Sequence, residues 1–225
     1  MENKAVLKNS PLFYEIEEAN IEAMLGCLGA VRRSCRREEF IFHSQDRVEQ
    51  IGLVLSGRAL IIKEDIWGNR MLLGEAKKGM LFGEAYACSG SKLLEVSVIA
   101  ETDMEILFLN VRKILQTCPS ACEFHGKLIK NLLSCVAERN LALMQKIEHM
   151  SRKTLREKLM SYLSAEAAKN GKEEFTISFD RQQLAEYLSA DRSALSAELG
   201  RMRRDGLLEF RKNRFCLKNV KKDGI

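Results

Sequence analysis

The chain has 225 residues, of which 46% are hydrophobic, enough to bury one large core or two modest ones. Its net charge of +5 is unevenly placed: from residue 151 onward 17 Lys and Arg face 11 Asp and Glu, a local +6, and the remainder is −1. A basic C-terminal third on a near-neutral body points to a polyanion as partner of that third, although a solvated basic surface has the same signature. The opening residues lack an apolar leader and no stretch is long and apolar enough to span a bilayer, so a cytoplasmic protein without a membrane partner is expected. The seven cysteines are odd in number, scattered and without a C-x-x-C pair, which fits thiols in a reducing compartment better than a disulfide framework. Cys118 and Cys122 are half a metal site at best, so no metal ligand and no cofactor is assigned.

In chain order, the first thirty residues read as helical, with Pro11 and an acidic run suiting a first turn and Ile21, Met24, Leu25 and Leu28 as an apolar stripe. The basic patch Arg32, Arg33, Arg36 and Arg37 reads as a solvated rim before a strand at residues 40–42. Short strands follow to about Leu109, at 51–55, 59–62, 71–73, 96–100 and 105–109. Gly57 and Gly68 mark the turns between them, with Trp67 at a hairpin tip. Several short strands with regular glycine turns predict a small antiparallel barrel or roll. Within it, Gly83-Glu84 ends a strand, and Ala85 opens a helical turn whose backbone N–H groups suit an anion or polar ligand; a plain chain reversal would look the same.

Pro119 then starts a long helix to about Met150, with Ile129, Leu132, Val136, Leu143, Ile147 and Met150 at three- and four-residue steps. This resembles a coiled-coil seam with Arg139 or Asn140 as a polar interruption, so dimerisation is expected; the competing explanation is a helix packed along its own domain. A further amphipathic helix spans 151–168, with Leu155, Leu159, Tyr162 and Leu163 inward. A short strand at 175–178 precedes residues 179–206, which read as two helices joined by a tight turn. Asp180 caps the first, with Gln183 completing a capping box, and Asp191 caps the second. Leu195, Leu199 and Met202 share one side of the second helix. The other side carries Ser193, Ser196, Ala197, Gly200 and Arg204, with Arg192 in the first turn. Small side chains flanked by arginines suit entry into a DNA groove, because they let the backbone approach base edges. An ordinary amphipathic helical hairpin is the bland alternative. Residues 207–210 and 214–217 bracket a basic tip, a β-hairpin wing.

The order of parts resembles the Crp/Fnr family of bacterial transcription regulators over nearly the whole chain. The resemblance is carried by VLSGRA at 54–59, by Gly79 with Phe82-Gly83-Glu84, and by RQQLAEYLSADRSALSAEL at 181–199. It implies an α+β fold: an N-terminal antiparallel β-roll of the cupin-like jelly-roll kind (1–118) for effector sensing, a long dimerisation helix (119–150) and a C-terminal winged helix-turn-helix (151–225). By the same resemblance Arg181 and Gln182 match phosphate-holding positions, and Arg192 matches the base-reading arginine, able to bind guanine O6 and N7. Ser193 stands where the family often has a glutamate, and Ala197 where the cyclic-AMP receptor proteins have an arginine, so the operator is expected to differ from theirs. Ser196, Arg201 and Arg204 complete the expected DNA-facing set.

The effector site departs from the cyclic-nucleotide pattern. The Arg-Ser pair that clamps the cyclic phosphate in such members corresponds here to Leu94 and Glu95. A carboxylate there repels a phosphate by ~1–4 kcal/mol at 4 Å, depending on the dielectric. An unidentified small molecule other than cyclic AMP is therefore expected near Gly83, Glu84, Ala85, Leu94 and Glu95. Cys27 and Cys35 are too sparse for an iron–sulfur cluster of the family's oxygen sensors, and a thiol switch at Cys88 or Cys118 is an alternative. The expected partners are a double-stranded DNA operator, a second copy of the chain and, for an activator, RNA polymerase. A ligand-sensing module that docks on a protein instead of DNA is the main rival. Catalysis is not expected, because His43, His125 and His149 lie far apart with no nucleophile motif near them.

Overall fold

Strands with a continuous apolar run have to be covered on both faces, and residues 51–55 and 106–109 are such runs, buried at every position. The computed structural model describes residues 2–90, 93–116 and 123–218. These fall into two compact units, 1–140 and 141–225, whose boundary lies within the long helix.

The first unit begins with α1 (Glu2–Asn9), a 3-10 turn (Pro11–Phe13) and α2 (Glu18–Cys27). The roll follows as β1 (Val31–Cys35), β2 (Phe40–Phe42), β3 (Gln50–Ser56), β4 (Arg58–Glu64), β5 (Arg70–Lys77), β6 (Leu81–Phe82), α3 (Glu84–Ser89), β7 (Ser97–Ala100) and β8 (Met104–Asn110). Then come α4 (Val111–Leu115) and α5 (Glu123–Met150). The strands form two four-stranded antiparallel sheets, ordered β1-β8-β3-β6 and β2-β7-β4-β5. Between them lie Val54, Phe82, Val98, Ile106 and Phe108. The opposite faces of β3 and β8, with Ile51, Leu53, Leu55, Leu107 and Leu109, are covered by Leu12, Phe13, Ile21 and Leu28 and by Leu128 and Leu132 of α5. Alternate side chains of one strand thus serve two cores.

Two glycines make this packing possible. Gly52 pairs with Phe82, and a Cβ on it would lie 2.1 Å from the Phe82 ring. Gly57 turns β3 into β4 at φ +82°, where a Cβ would meet the Asp103 carbonyl at 2.5 Å.

The first thirty residues are helical as expected, in two helices separated by a 3-10 turn that Pro11 starts under the Ser10 cap. Other expectations need correction. Arg32 and Arg33 are not a rim before the first strand; they belong to β1, which pairs with β8 at the sheet edge. Four of its five residues are exposed, which removes the alternation that reveals a strand. Cys118, Pro119 and Cys122 lie outside the described residues.

On α5, Leu132 is 3% exposed and belongs to the core of its own unit, while Leu133 is 69% exposed. Arg139 also turns inward, to Glu84. The outward stripe is therefore Ile129, Leu133, Val136, Asn140, Leu143, Ile147 and Met150, an unbroken alternation of four- and three-residue steps with one polar member.

The second unit contains the end of α5, α6 (Leu155–Asn170), β9 (Glu174–Thr176), α7 (Arg181–Tyr187), α8 (Arg192–Arg204), β10 (Leu208–Arg211) and β11 (Arg214–Leu217), with sheet order β10-β11-β9. Thr154 and Glu157 form a capping box at the start of α6. Leu159, Leu163, Leu184, Leu188, Leu195, Leu199 and Met202 are fully buried. Tyr162 stacks on Phe179 at 6.3 Å and meets Tyr187 at 5.4 Å and His149 at 5.8 Å between ring centroids. The Lys146 ammonium sits 4.6 Å above the Tyr187 ring, and burial pulls its pKa down to about 8.

His149 is buried with Nδ1 2.8 Å from Ser161 Oγ. Burial depresses its pKa below the usual 6.5, an effect opposed by Glu148 and reinforced by Arg152. The unfolded chain therefore binds more protons just below pH 6.5, so this group's contribution to stability is present above that pH and is lost on acidification. Chemical denaturation at several pH values is expected to show this loss in the wild type and a flatter profile in His149→Asn, which keeps a hydrogen-bonding group near the Nδ1 position.

Candidate functional site

The helical hairpin forms as its sequence demands. Asp180 Oδ1 accepts from the Gln183 backbone N–H at 2.8 Å, and the Gln183 side chain accepts from the Asp180 N–H at 3.1 Å. Asp191 Oδ1 accepts from the N–H groups of Ser193 and Ala194 at 2.8 and 2.9 Å, and from the Ser193 hydroxyl. These bonds hold the Asp191 carboxyl below its ordinary range. Ser189 makes the turn at φ +48°. With Leu195, Leu199 and Met202 in the core, α8 leaves Arg192, Ser193, Ser196, Ala197 and Arg204 exposed and Gly200 half-buried. The structure thus brings the expected small-residue face together on one helix, with an arginine at each end.

The inner side of α8 is fastened by charge. Arg156 Nε donates to Glu198 Oε1 at 2.6 Å and its Nη1 pairs with Asp205 at 2.8 Å. Arg156 is the chief reason that the Glu198 carboxyl stays below the usual carboxylate range. Arg201, one of the expected DNA-facing residues, pairs with Glu198 Oε2 at 2.7 Å from its exposed position. Neither Arg156 nor Glu198 carries a sequence signal for this bond, since 42 positions separate them.

Arg181 and Gln182 part company. Gln182 is exposed and donates to Glu186 at 3.0 Å. Arg181 is half-buried and turns toward the wing. Its guanidinium lies 5.2 Å from the Phe210 ring centroid and 5.6 Å from that of Phe215, and donates to the Lys212 carbonyl at 2.9 Å. Arg203 also stacks on Phe210, at 5.2 Å. At the wing tip Lys212 adopts φ +54°. Asn213 holds that turn: its Nδ2 donates to the Ile177 carbonyl and its own carbonyl accepts from the Ile177 N–H, both at 2.9 Å. Arg211, Lys212 and Arg214 are exposed around it.

The expected effector residues divide into two groups with different partners. Gly83, at φ +80°, and Ala85 flank the buried Glu84, whose Oε1 accepts from Arg139 Nε at 3.2 Å. Leu94 is fully buried, and its backbone bonds Gln45 and Asp46. Glu95 is exposed and pairs with Lys63 at 3.4 Å. Among the described residues no group of three or more His, Cys, Asp or Glu is placed to hold a metal ion.

Residues 32–120 match the cyclic nucleotide-binding domain family, and residues 157–222 match the Crp-like helix-turn-helix domain family. The two together take in more than half of the chain, in the order that this type of regulator requires. The chain belongs to the Crp/Fnr family. Its fold is that of a Crp/Fnr-type DNA-binding transcription regulator. Among solved structures it is similar to the c-di-GMP responsive global regulator CLP of Xanthomonas campestris, at 20% identity over 91% of this chain and 100% of that one, with a TM-score of 0.73. It is also similar to FixK2 from Bradyrhizobium japonicum, at 17% identity over 84% and 93% of the two chains, with a TM-score of 0.65. A transcriptional regulator assigned to the Crp/Fnr family from Eubacterium rectale matches at 18% identity over 89% and 91%, with a TM-score of 0.60. No curated protein sequence matches the chain. Three contacts at these sites carry no sequence signal: Arg139 on Glu84, Arg156 on Glu198 and Arg181 on the wing.

If Arg181 orients the wing, Arg181→Ala removes a hydrogen bond and two ring contacts and is expected to cost about 1–2 kcal/mol. Urea unfolding together with the ring resonances of Phe210 and Phe215 checks this. Arg181→Lys is expected to recover only part, because a point charge cannot both stack and donate as the planar fork does.

Proposed function

We propose that the chain is a homodimeric, sequence-specific transcription regulator that reads double-stranded DNA with α8. The observation that carries this reading is the exposed face of α8, small in its middle and cationic at its ends, above a fully buried leucine–methionine side. In this reading Arg192 donates both arms to a guanine. Ser193, Ser196 and Ala197 let the helix sit deep in the major groove. Gln182, Arg204 and the wing cations Arg211, Lys212 and Arg214 meet phosphates; Arg201, tethered to Glu198, contributes charge more than reach. Arg181 is assigned to holding the wing rather than to a phosphate. Residues 1–118 are the sensing domain, 119–150 the dimer helix and 151–225 the DNA-binding domain, acting in the cytoplasm without catalysis. RNA polymerase is a partner if the regulator activates.

Dimerisation rests on the outward stripe of α5. Ile147 is 67% exposed, and with Leu133 and Leu143 it forms an apolar seam interrupted by Asn140. A lone asparagine in such a seam sets register and strand number. Two-fold pairing places two reading helices about 34 Å apart, one turn of DNA. The effector is a small molecule other than cyclic AMP. CLP is described as c-di-GMP responsive; here Leu94 and Glu95 offer no cation to a phosphate. A thiol switch is less well supported. Burial and Glu84 push the Cys88 thiol up, and burial with Glu138 and Glu84 takes Cys135 to about 11, so neither favours the reactive thiolate.

Selection of bound sequences from a random DNA pool tests the reading. The wild type is expected to enrich a two-fold-symmetric site and to lose affinity steeply with salt, whereas salt-insensitive or absent binding sinks the proposal. Arg192→Ala is expected to relax one guanine per half-site at a cost of about 1–3 kcal/mol. For the seam, Leu133→Glu with Ile147→Glu is expected to give a folded monomer in sedimentation velocity, because Leu132 and the core of the first unit are untouched. A dimer that persists refutes the seam.

A further inference from the structure

The Gly83-Glu84 turn, where the sequence suggests a ligand, is filled from within the chain. Glu84 is 5% exposed at the start of α3. Arg139, 55 residues away on α5, donates Nε to Glu84 Oε1 at 3.2 Å, Nη2 to the Leu81 carbonyl at 3.0 Å and Nη1 to the Glu75 carbonyl at 3.4 Å. One guanidinium therefore ties α5 to α3, β6 and β5. The last strand passes so close that a Cβ on Gly74 would touch Arg139 Nη1 at 3.5 Å. The Arg139 side chain is 23% exposed. All three acceptors are oxygens, one of them a full charge, arranged around a planar, multi-donor cation.

We propose that Arg139 is the built-in occupant of this site, so that α5 is fixed on the roll by its own guanidinium and needs no small molecule to hold it there. The site's chemistry selects a guanidinium. A phosphate or carboxylate meets a carboxylate and two carbonyls, with the Arg139 guanidinium already engaged. A molecule able to displace the contact must itself carry a guanidinium or amine. The inference rests on the regulator reading only for its consequence: the ligand-free protein holds α5 in the position from which its outward seam is presented and binds DNA, and the effector acts by displacing the Arg139 contact.

The test uses full-length protein stripped of small molecules by denaturation and refolding, with hydrogen exchange of the amides at 130–140 as readout. The stripped wild type is expected to stay protected. Arg139→Ala and Glu84→Gln are each expected to raise exchange there about tenfold or more, because each leaves a charge without its partner. The amides of β3 and β8 serve as the control for an intact roll. Millimolar ethylguanidinium is expected to restore protection in Arg139→Ala and not in Glu84→Gln. Should Arg139→Ala fail to fold, Arg139→Lys, which keeps the charge and loses the fork, is expected to show intermediate exchange. Unchanged protection in the variants overturns the proposal. So does a wild type that loses protection on stripping and regains it with a small-molecule fraction of cell extract. DNA affinity on the same samples separates the two ideas. The exchange pattern with no DNA binding in any sample leaves the inference standing and removes the regulator reading. Equal DNA binding with unchanged exchange does the reverse.

Discussion

A carboxylate taken out of water has to be met by a partner, and among the described residues both buried glutamates are met by arginine. Glu84 meets Arg139 in the first unit, and Glu198 meets Arg156 in the second. In both places the carboxylate lies on a short or functional helix and the arginine comes from a long one. Both bonds are directional, because the guanidinium offers several fixed donors. Each therefore sets the orientation of a helix as well as its distance. Deleting Arg139 strands Glu84 in a poorly solvated place, and such deletions cost about 3–5 kcal/mol where they have been measured; Arg156 is more exposed, and its pair is screened by solvent. The hydrophobic cores fix which faces pack, and the two ion pairs fix how those faces are aimed.

The division of labour along α5 follows. Leu128, Leu132, Cys135 and Arg139 recur at three- and four-residue steps on the inner side, with Asn131 beside them. Asn131 gives both of its amide hydrogens to the Leu12 and Tyr14 carbonyls, at 3.0 and 2.8 Å. The outer stripe is offset by one position, so adjacent leucines serve different clients. The same economy governs α8, where Glu198 is fastened inward while Ser196 and Ala197 stay bare. A helix that must present a surface needs its other side immobilised, because a rotation of a few tens of degrees would replace serine with leucine at the interface.

Much of this is legible in the sequence, for local reasons. Capping boxes, turn glycines and i, i+4 leucines act within a few residues, so the hairpin of α7 and α8, the wing and most strands are read directly. β1 is not, because an exposed edge strand of the composition VRRSC lacks alternation. Ile129, Val136 and Leu143 announce a seam, but Leu132 and Leu133 both fit its spacing, and only the packing of α5 on the first unit separates them. Arg181 matches a phosphate-holding position in the sequence, while its contacts with Phe210 and Phe215 depend on the wing folding back. Glu84 shows its place in a Gly-Glu turn and hides its partner, since nothing in the spacing of 84 and 139 marks a contact. Apart from β1, what was illegible depends on contacts between residues far apart in the chain.

Lys212 sits at φ +54° on the wing turn, a conformation that glycine adopts without strain and lysine does not. The strain is met by Arg181, which donates to the Lys212 carbonyl, and by Asn213, which exchanges two hydrogen bonds with the Ile177 backbone. The cation at the tip is therefore carried on a backbone held against its own preference. Exchanging it for glycine relaxes the turn and removes a charge in a single step, so for this residue conformational comfort and electrostatic reach pull in opposite directions. A chain drifting toward greater thermal robustness has an easy route through this position, and the route leads away from a cationic wing.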